Sequence, residues 1–329
     1  MKKTLVALAV AAVAATSANA AVVYDQDGSK VEVGGSLRLM LLKEGDKRGD
    51  LKNAGSRLVV KGSQDLGNGL SALANVELRF ENTHKDAAKN GNSNFGDVNT
   101  KRLYAGFKQD GVGTLTFGRQ LTNGDDVQLG DYAYEWGGNN NLTGASDKSV
   151  KFRSAQWNGF SFGVDYLFGN ADKSVSGYKN GYGAALFYTT ALAQDVTLNL
   201  NAGLTRDKLE AAGSSETVLT TTKWRTAAEI LVGNFGFAAN YGQDKVKGVD
   251  GRLHYLLVGA KYKVAEPSTV YAQWKRLSVS GSDIKTNTYV AGVDYKLHKN
   301  VITFAEYARV KTTDMKAENN YGVGLRVFF

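Results

Sequence analysis

Apolar and polar residues alternate in segment after segment of this chain, and such a chain places successive side chains on opposite faces of a sheet. Leu37, Leu39 and Leu41 share one face, with Ser36, Arg38 and Met40 on the other. Leu58 and Val60 oppose Arg57 and Lys61, while Ala74, Val76, Leu78 and Phe80 oppose Asn75, Glu77 and Arg79. Phe160, Phe162, Val164, Tyr166 and Phe168 oppose Ser161, Gly163 and Asp165. The same pattern recurs over residues 196–205 and 224–230. The result is a sheet with one apolar and one polar face.

The connections alternate as well. Short ones carry turn chemistry, as in Leu66-Gly67-Asn68-Gly69, Asn158-Gly159, Gly233-Asn234 and Lys299-Asn300. Long polar ones cover residues 44–54, 82–98, 119–148, 170–179, 209–217, 246–251, 281–285 and 314–319. Between them lie about 16 segments of roughly 9–14 residues, the lengths of membrane-crossing strands. Short turns on one rim and long loops on the other predict an all-β, 16-stranded antiparallel transmembrane β-barrel over residues 21–329, with no second domain. A soluble sandwich or propeller also alternates, but would put charges on its exposed face. Here the apolar face carries aromatics near the strand ends, as at the two interfaces of a membrane barrel.

The chain ends support this reading. Met1-Lys2-Lys3, an apolar run over residues 4–15 and Ala18-Asn19-Ala20 have the layout of a secretory signal peptide, residues 1–20, cleaved before Ala21. Its removal lowers the formal charge from +8 to +6, because it holds two lysines and no acid. Beyond it no apolar run reaches the length of a membrane-spanning helix. Cysteine is absent, so a secreted chain of this length draws its stability from something other than disulfides. The basic excess is spread through alternating segments, which argues against nucleic acid as a partner. At the other end Tyr321, Val323, Leu325, Val327 and Phe329 form an unbroken apolar face. Such an edge is safe when it pairs with the first strand of a closed barrel, near residues 30–41.

Four stretches carry a resemblance: AVVYDQDGSKVEVGG at the start, LYAGFKQDGVGTLTFGRQ, YEWGGNN and the terminal YGVGLRVFF. They make the mature chain similar to the general diffusion porins of Gram-negative outer membranes, a trimeric 16-stranded family, and most of all to the major porins of the Pasteurellaceae. The resemblance implies a homotrimer of water-filled barrels, set among outer-membrane lipid and lipopolysaccharide, that passes small hydrophilic solutes and ions. The third extracellular loop folds inward in that family and sets loop acids against a basic wall. Asp131 and Glu135 match the loop acids, Trp136-Gly137-Gly138 the loop turn, and Arg57 and Lys101 two wall positions. Asn139 stands where a related porin often has Asp. Ser36 replaces a wall base, with Arg38 two residues along on the same face. The terminal aromatic implies recognition of the last strand by the outer-membrane barrel assembly machinery.

The loop itself, residues 119–148, is longer than connections usually are, and Tyr132, Tyr134 and Trp136 suit it to folding back onto a wall. Asp131 and Glu135 are four apart, so a helical turn would stack their carboxylates. Face parity places Arg38, Arg57, Lys61, Lys151 and Arg153 on the polar side, while Lys101 and Arg102 compete for it. These charges are expected to face one another across a gap without direct bridges, setting a transverse field. Residues 82–98, with His84 and Asp86, are the second loop; in the family it latches onto a neighbouring subunit, and Arg119 is a candidate receiver. The early strands carry few large outward aromatics beyond Phe80 and Tyr104. His84, His254 and His298 form no pair with metal-ligand spacing and no nucleophile motif, so neither a metal, a cofactor nor an enzymatic activity is expected. A substrate-specific channel is the alternative function, and it would present stacked aromatics along the lumen.

Overall fold

The structure, a computed structural model, describes residues 20–81, 95–213 and 216–329. Residues 1–19 of the proposed signal peptide and most of the second loop, His84 and Asp86 included, lie outside the described residues. The chain opens with β1 (Ala21–Gln26), β2 (Ser29–Glu44), β3 (Asp50–Asn53), β4 (Arg57–Gly67) and β5 (Leu70–Arg79). After β6 (Asn99–Gln109) and β7 (Gly113–Leu121), a 3-10 turn at Asp125–Val127 precedes β8 (Ala145–Ser154). Next come β9 (Phe160–Phe168), β10 (Gly177–Ala193), β11 (Val196–Glu210), β12 (Thr217–Val232) and β13 (Phe235–Val246). The last five are β14 (Leu253–Ala265), β15 (Ser268–Val279), β16 (Lys285–His298), β17 (Val301–Thr312) and β18 (Glu318–Phe328).

These segments form a closed antiparallel barrel of 16 staves. β18 pairs with β2 from Asn320↔Glu44 to Phe328↔Ser36, which closes the sheet. β1 pairs with the part of β2 that β18 leaves free, Ser29 to Val33, so β1 and β18 together make one stave. β3 and β4 share another on the far side of β2. At the seam, Gly35 N–H donates to the Phe329 carbonyl at 2.7 Å and Phe329 N–H to the Gly35 carbonyl at 3.1 Å. Closure satisfies every edge, as hydrocarbon surroundings require.

The face parity holds around the barrel. Outward residues such as Leu37, Leu41, Val164, Leu186, Phe237 and Val323 are exposed, an apolar area that suits lipid contact and not water. On β16 the outward Tyr289 and Tyr295 are six residues apart, about 20 Å along a strand, close to the height of a membrane barrel's apolar band. Inward polar residues are buried, among them Ser36, Asn75, Gln273 and Glu306. Several strands exceed the expected lengths, with 17 residues in β10. A Gln194-Asp195 turn, with Asp195 at φ 59°, joins β10 to β11 with no glycine to announce it. Tyr104 is not an outward aromatic. A register shift opposite Glu77 and Leu78 makes Lys101 an extra residue in β6, and Arg102 and Tyr104 then line the interior with Arg57.

Candidate functional site

The connection between β7 and β8 lies along the polar face of β10–β18. Two apolar clusters seat it. At its base, Val127 and Leu142 pack with Ala185 and Phe187 of β10. At its tip, Tyr134 and Trp136 pack on Met40, Leu42 and Phe304, and Tyr134 stacks on Phe304 at 4.4 Å. These inward apolar residues break the polar face where the connection needs a floor.

Polar wall side chains then bind the connection's backbone. Asn240 accepts from Leu129 N–H at 2.9 Å and donates to the Leu129 carbonyl at 2.7 Å. Gln273 accepts from Ala133 N–H at 3.0 Å and donates to the Gly130 carbonyl at 3.0 Å. Glu306, 4 % exposed, accepts from Tyr134 N–H, from Glu135 N–H at 2.9 Å, from Trp136 N–H at 3.4 Å and from the Tyr271 hydroxyl at 2.7 Å. Bonds to a charged acceptor stabilise by about 1.5–3 kcal/mol each, so Glu306 is a strong fixture of the tip. Lys275 Nζ donates to the carbonyls of Trp136, Gly137 and Gly138 at 2.6, 2.9 and 3.0 Å. Arg225, fully buried, donates to Asn139 O at 2.5 Å and Asn141 Oδ1 at 2.9 Å.

This wall binding removes the expected helical turn. The N–H groups of residues 133–136 go to Gln273 and Glu306, leaving none for helix carbonyls, and the two loop acids diverge. Asp131 Oδ1 turns back to accept from Gly138 N–H at 2.8 Å and from Gln273 at 3.2 Å. A Cβ on Gly137 would collide with this carboxylate, and Gly138 has φ 61°, so the Trp136-Gly137-Gly138 turn requires both glycines. Glu135 forms an ion pair with Lys52 of β3, a direct bridge where a gap is expected. Asn139, which leaves the edge less acidic, instead donates to the Leu256 carbonyl at 2.8 Å. Asp125, in the 3-10 turn, has its carboxyl pushed up to about 6 by burial and by neighbouring Asp126.

The opposite wall carries cations. Arg57, Lys61, Arg102, Lys151 and Arg153 line one cavity of about 380 Å³, with Glu77 and Asp126 as its acids. Glu77 Oε1 lies 2.7 Å from Arg79 Nε and 3.4 Å from Arg57 Nη1. Glu81 links Arg79 at 3.4 Å to Lys101 at 3.3 Å. Thus Lys101 reaches the cluster through Glu81, whereas Arg102 lines the cavity itself. Arg38 is held by the Ser36 hydroxyl at 2.8 Å, Lys151 donates to the Leu121 carbonyl at 3.1 Å, and Arg153 meets Asp126 at 3.3 Å. Arg326 of β18 donates to the Tyr134 carbonyl at 3.0 Å. Arg79, Arg326, Lys52 and Glu306 were not among the predicted site residues. Parity alone put Arg79 and Arg326 on the polar face, but nothing local in sequence points Lys52 or Glu306 at the connection.

Tyr321, Val323, Leu325 and Phe329 lie exposed on the outer face, and Val327 pairs with Leu37 in the closing seam. Arg119 pairs with Asp147 of its own chain at 3.1 Å.

The family described as Gram-negative porin matches residues 7–315. Two relatives called major outer membrane protein, from Pasteurella multocida and its strain Pm70, are 43% and 44% identical over 347 and 352 residues, covering 100% of this chain and of each relative. The anion-selective porin from Comamonas acidovorans superimposes with a TM-score of 0.74 at 18% identity, over 92% of this chain and 100% of that one. The trimer form of OmpT from Vibrio cholerae does so at 0.73 and 23% identity, over 92% and 100%. These structural likenesses establish the fold. The match over nearly the whole length and the close relatives establish the family: the chain belongs to the Gram-negative porins, passive diffusion channels of the outer membrane.

Proposed function

We propose that small hydrophilic solutes and ions cross between the β7–β8 connection and the basic wall, and that this third long connection is the constriction. The observation that supports this is the division of the interior. Wall residues of β12–β18 bind the connection's backbone, while Arg57, Arg102 and Lys151 line a cavity on the other side. Asp131 and Glu135 mark the loop edge, Trp136-Gly137-Gly138 turns it, and Arg38, Arg57, Lys101 and Lys151 belong to the facing wall. Charges of both signs around a narrow aqueous gap favour polar solutes over apolar ones. Tyr134 packs against Phe304 and Tyr271 beneath the loop tip, which favours a general channel over one with an aromatic slide for a particular substrate.

The finer assignments belong to the same reading. Residues 1–20 are removed on export, and the mature chains assemble as homotrimers, as the trimer form of a structural neighbour suggests. The long connections face the outside, and lipid and lipopolysaccharide surround the barrel. The face Tyr321, Val323, Leu325, Val327 and Phe329 is the signal for the barrel assembly machinery. No catalytic step enters.

Single-channel recording of purified protein in planar bilayers is the deciding experiment. Three equal conductance steps are expected; a silent protein sinks the channel assignment, and single isolated steps sink the trimer. Deleting Phe329 is expected to abolish most heat-modifiable trimer, and normal trimer yield from that variant removes the terminal signal.

A further inference from the structure

The bridge between Lys52 and Glu135 joins two connections that lie far apart in the chain. Lys52 is on β3, the short strand within the first long connection, directly opposite Met40 of β2. Residues directly opposite in an antiparallel pair share a face. Met40 is buried and packs with Trp136 at the tip of the β7–β8 connection. Lys52 therefore faces the tip as well, and its ammonium meets the Glu135 carboxylate there. The two side chains are 36 % and 14 % exposed, so salt screens this pair less than it screens one in open water.

The strand that carries Lys52 is itself held. Asn53 is buried; its Nδ2 donates to the Phe80 carbonyl, and its Oδ1 accepts from Ser56 N–H at 2.8 Å. Ala54 N–H donates to the Arg38 carbonyl at 2.8 Å, and Arg38 N–H to the Ser56 hydroxyl at 2.9 Å. These bonds tie the corner after Lys52 to β2 and to the chain just past β5. Two other ion pairs of the same connection, Lys47 with Glu44 at 3.1 Å and Asp46 with Lys316 at 3.2 Å, leave their lysines exposed to solvent. Lys52 alone of these three lysines reaches the loop edge.

We propose that Lys52 is a specificity-determining residue of the channel. It masks the charge of Glu135 and, by bridging tip to wall, closes the gap on the β3 side, so that solutes pass on the Arg57 and Lys151 side alone. The first connection thus sets selectivity through one side chain. The proposal rests on the reading of the β7–β8 connection as the constriction.

The test reads reversal potential in a salt gradient and single-channel conductance of the full protein in planar bilayers. Lys52→Gln frees the Glu135 charge and is expected to shift the permeability ratio toward cations by about twofold in about 0.1 M salt. The shift shrinks in about 1 M salt, where the screening length falls from about 10 Å to about 3 Å. Glu135→Gln frees Lys52 instead and moves the ratio toward anions. Each single variant raises conductance by opening the gap, and Lys52→Gln/Glu135→Gln raises it no further than the larger single effect. Lys52→Glu/Glu135→Lys rebuilds the bridge in reverse and restores wild-type conductance. Lys47→Gln, in the same connection, leaves both readouts unchanged. An unchanged reversal potential in Lys52→Gln overturns the proposal. So do conductance increments that add in the double variant, or an equal shift from Lys47→Gln. Arg57→Ala/Arg79→Ala is recorded in parallel: a shift there without one in Lys52→Gln sinks the proposal alone, and no shift in either sinks the constriction reading with it.

Discussion

The two halves of the barrel wall share one backbone pattern and hold opposite chemistry. Around β12–β18 the inward residues are acids, amides and a few cations already committed to the β7–β8 connection: Asn240, Gln273, Lys275, Glu306 and Arg225. Around β2–β8 the inward side is dominated by Arg38, Arg57, Arg79, Arg102, Lys151 and Arg153, bridged by few acids. The first half binds backbone and makes a second, inner surface. The second half keeps its cations turned to the lumen. One wall is a mount for the connection, and the other gathers the cations.

The largest effect is expected from removing the mount. Glu306→Ala leaves three backbone donors at the loop tip without their acceptor, at a cost of about 1–3 kcal/mol each. Single-channel conductance is expected to rise and become noisy, and the connection to become open to protease; quiet wild-type steps from this variant end the idea of a fixed tip. Next in size is the bare wall. Arg57→Ala/Arg79→Ala strips Glu77 of both its ion-pair partners and is expected to shift the permeability ratio toward cations by about threefold, or ~0.7 kcal/mol. An unchanged reversal potential in a salt gradient demotes both arginines to scaffold.

Neutralising the loop edge is expected to act in the opposite sense and more weakly. Glu135 already pairs with Lys52, so Asp131→Asn/Glu135→Gln moves the reversal potential toward anions by less than about twofold in permeability ratio. A cation shift contradicts the assignment of the edge. The smallest effect is pH-dependent. The carboxyl of Asp125 is raised to about 6, so it is mostly ionised at pH 7 and mostly protonated at pH 5. Lost negative charge opposite Arg102 and Lys151 moves selectivity toward anions as pH falls through that window. Asp125→Asn is expected to flatten the response there, and a variant that keeps the full response assigns it to another group.

Strand parity made the barrel legible because a pleated sheet has only two faces, and Leu37/Arg38 or Leu78/Arg79 already declare which is which. The same rule found Arg57 and Lys151. It leaves Lys101 and Arg102 in competition, because an inserted residue shifts the register there, and the side of Tyr104 is settled only with theirs. The four-residue spacing of Asp131 and Glu135 does not bring their carboxylates together, because the wall takes the N–H groups that a helical turn would need.

Alternation and turn chemistry in the sequence therefore determined a membrane barrel, its polar interior and the stretch that had to lie somewhere special. Those are consequences of near-neighbour geometry. The tertiary structure alone decided that Glu306, 172 residues from Tyr134, anchors the loop tip, and that Lys52 neutralises Glu135. Barrel closure brings β17 and β3 to the tip of one connection, and no local pattern encodes that meeting.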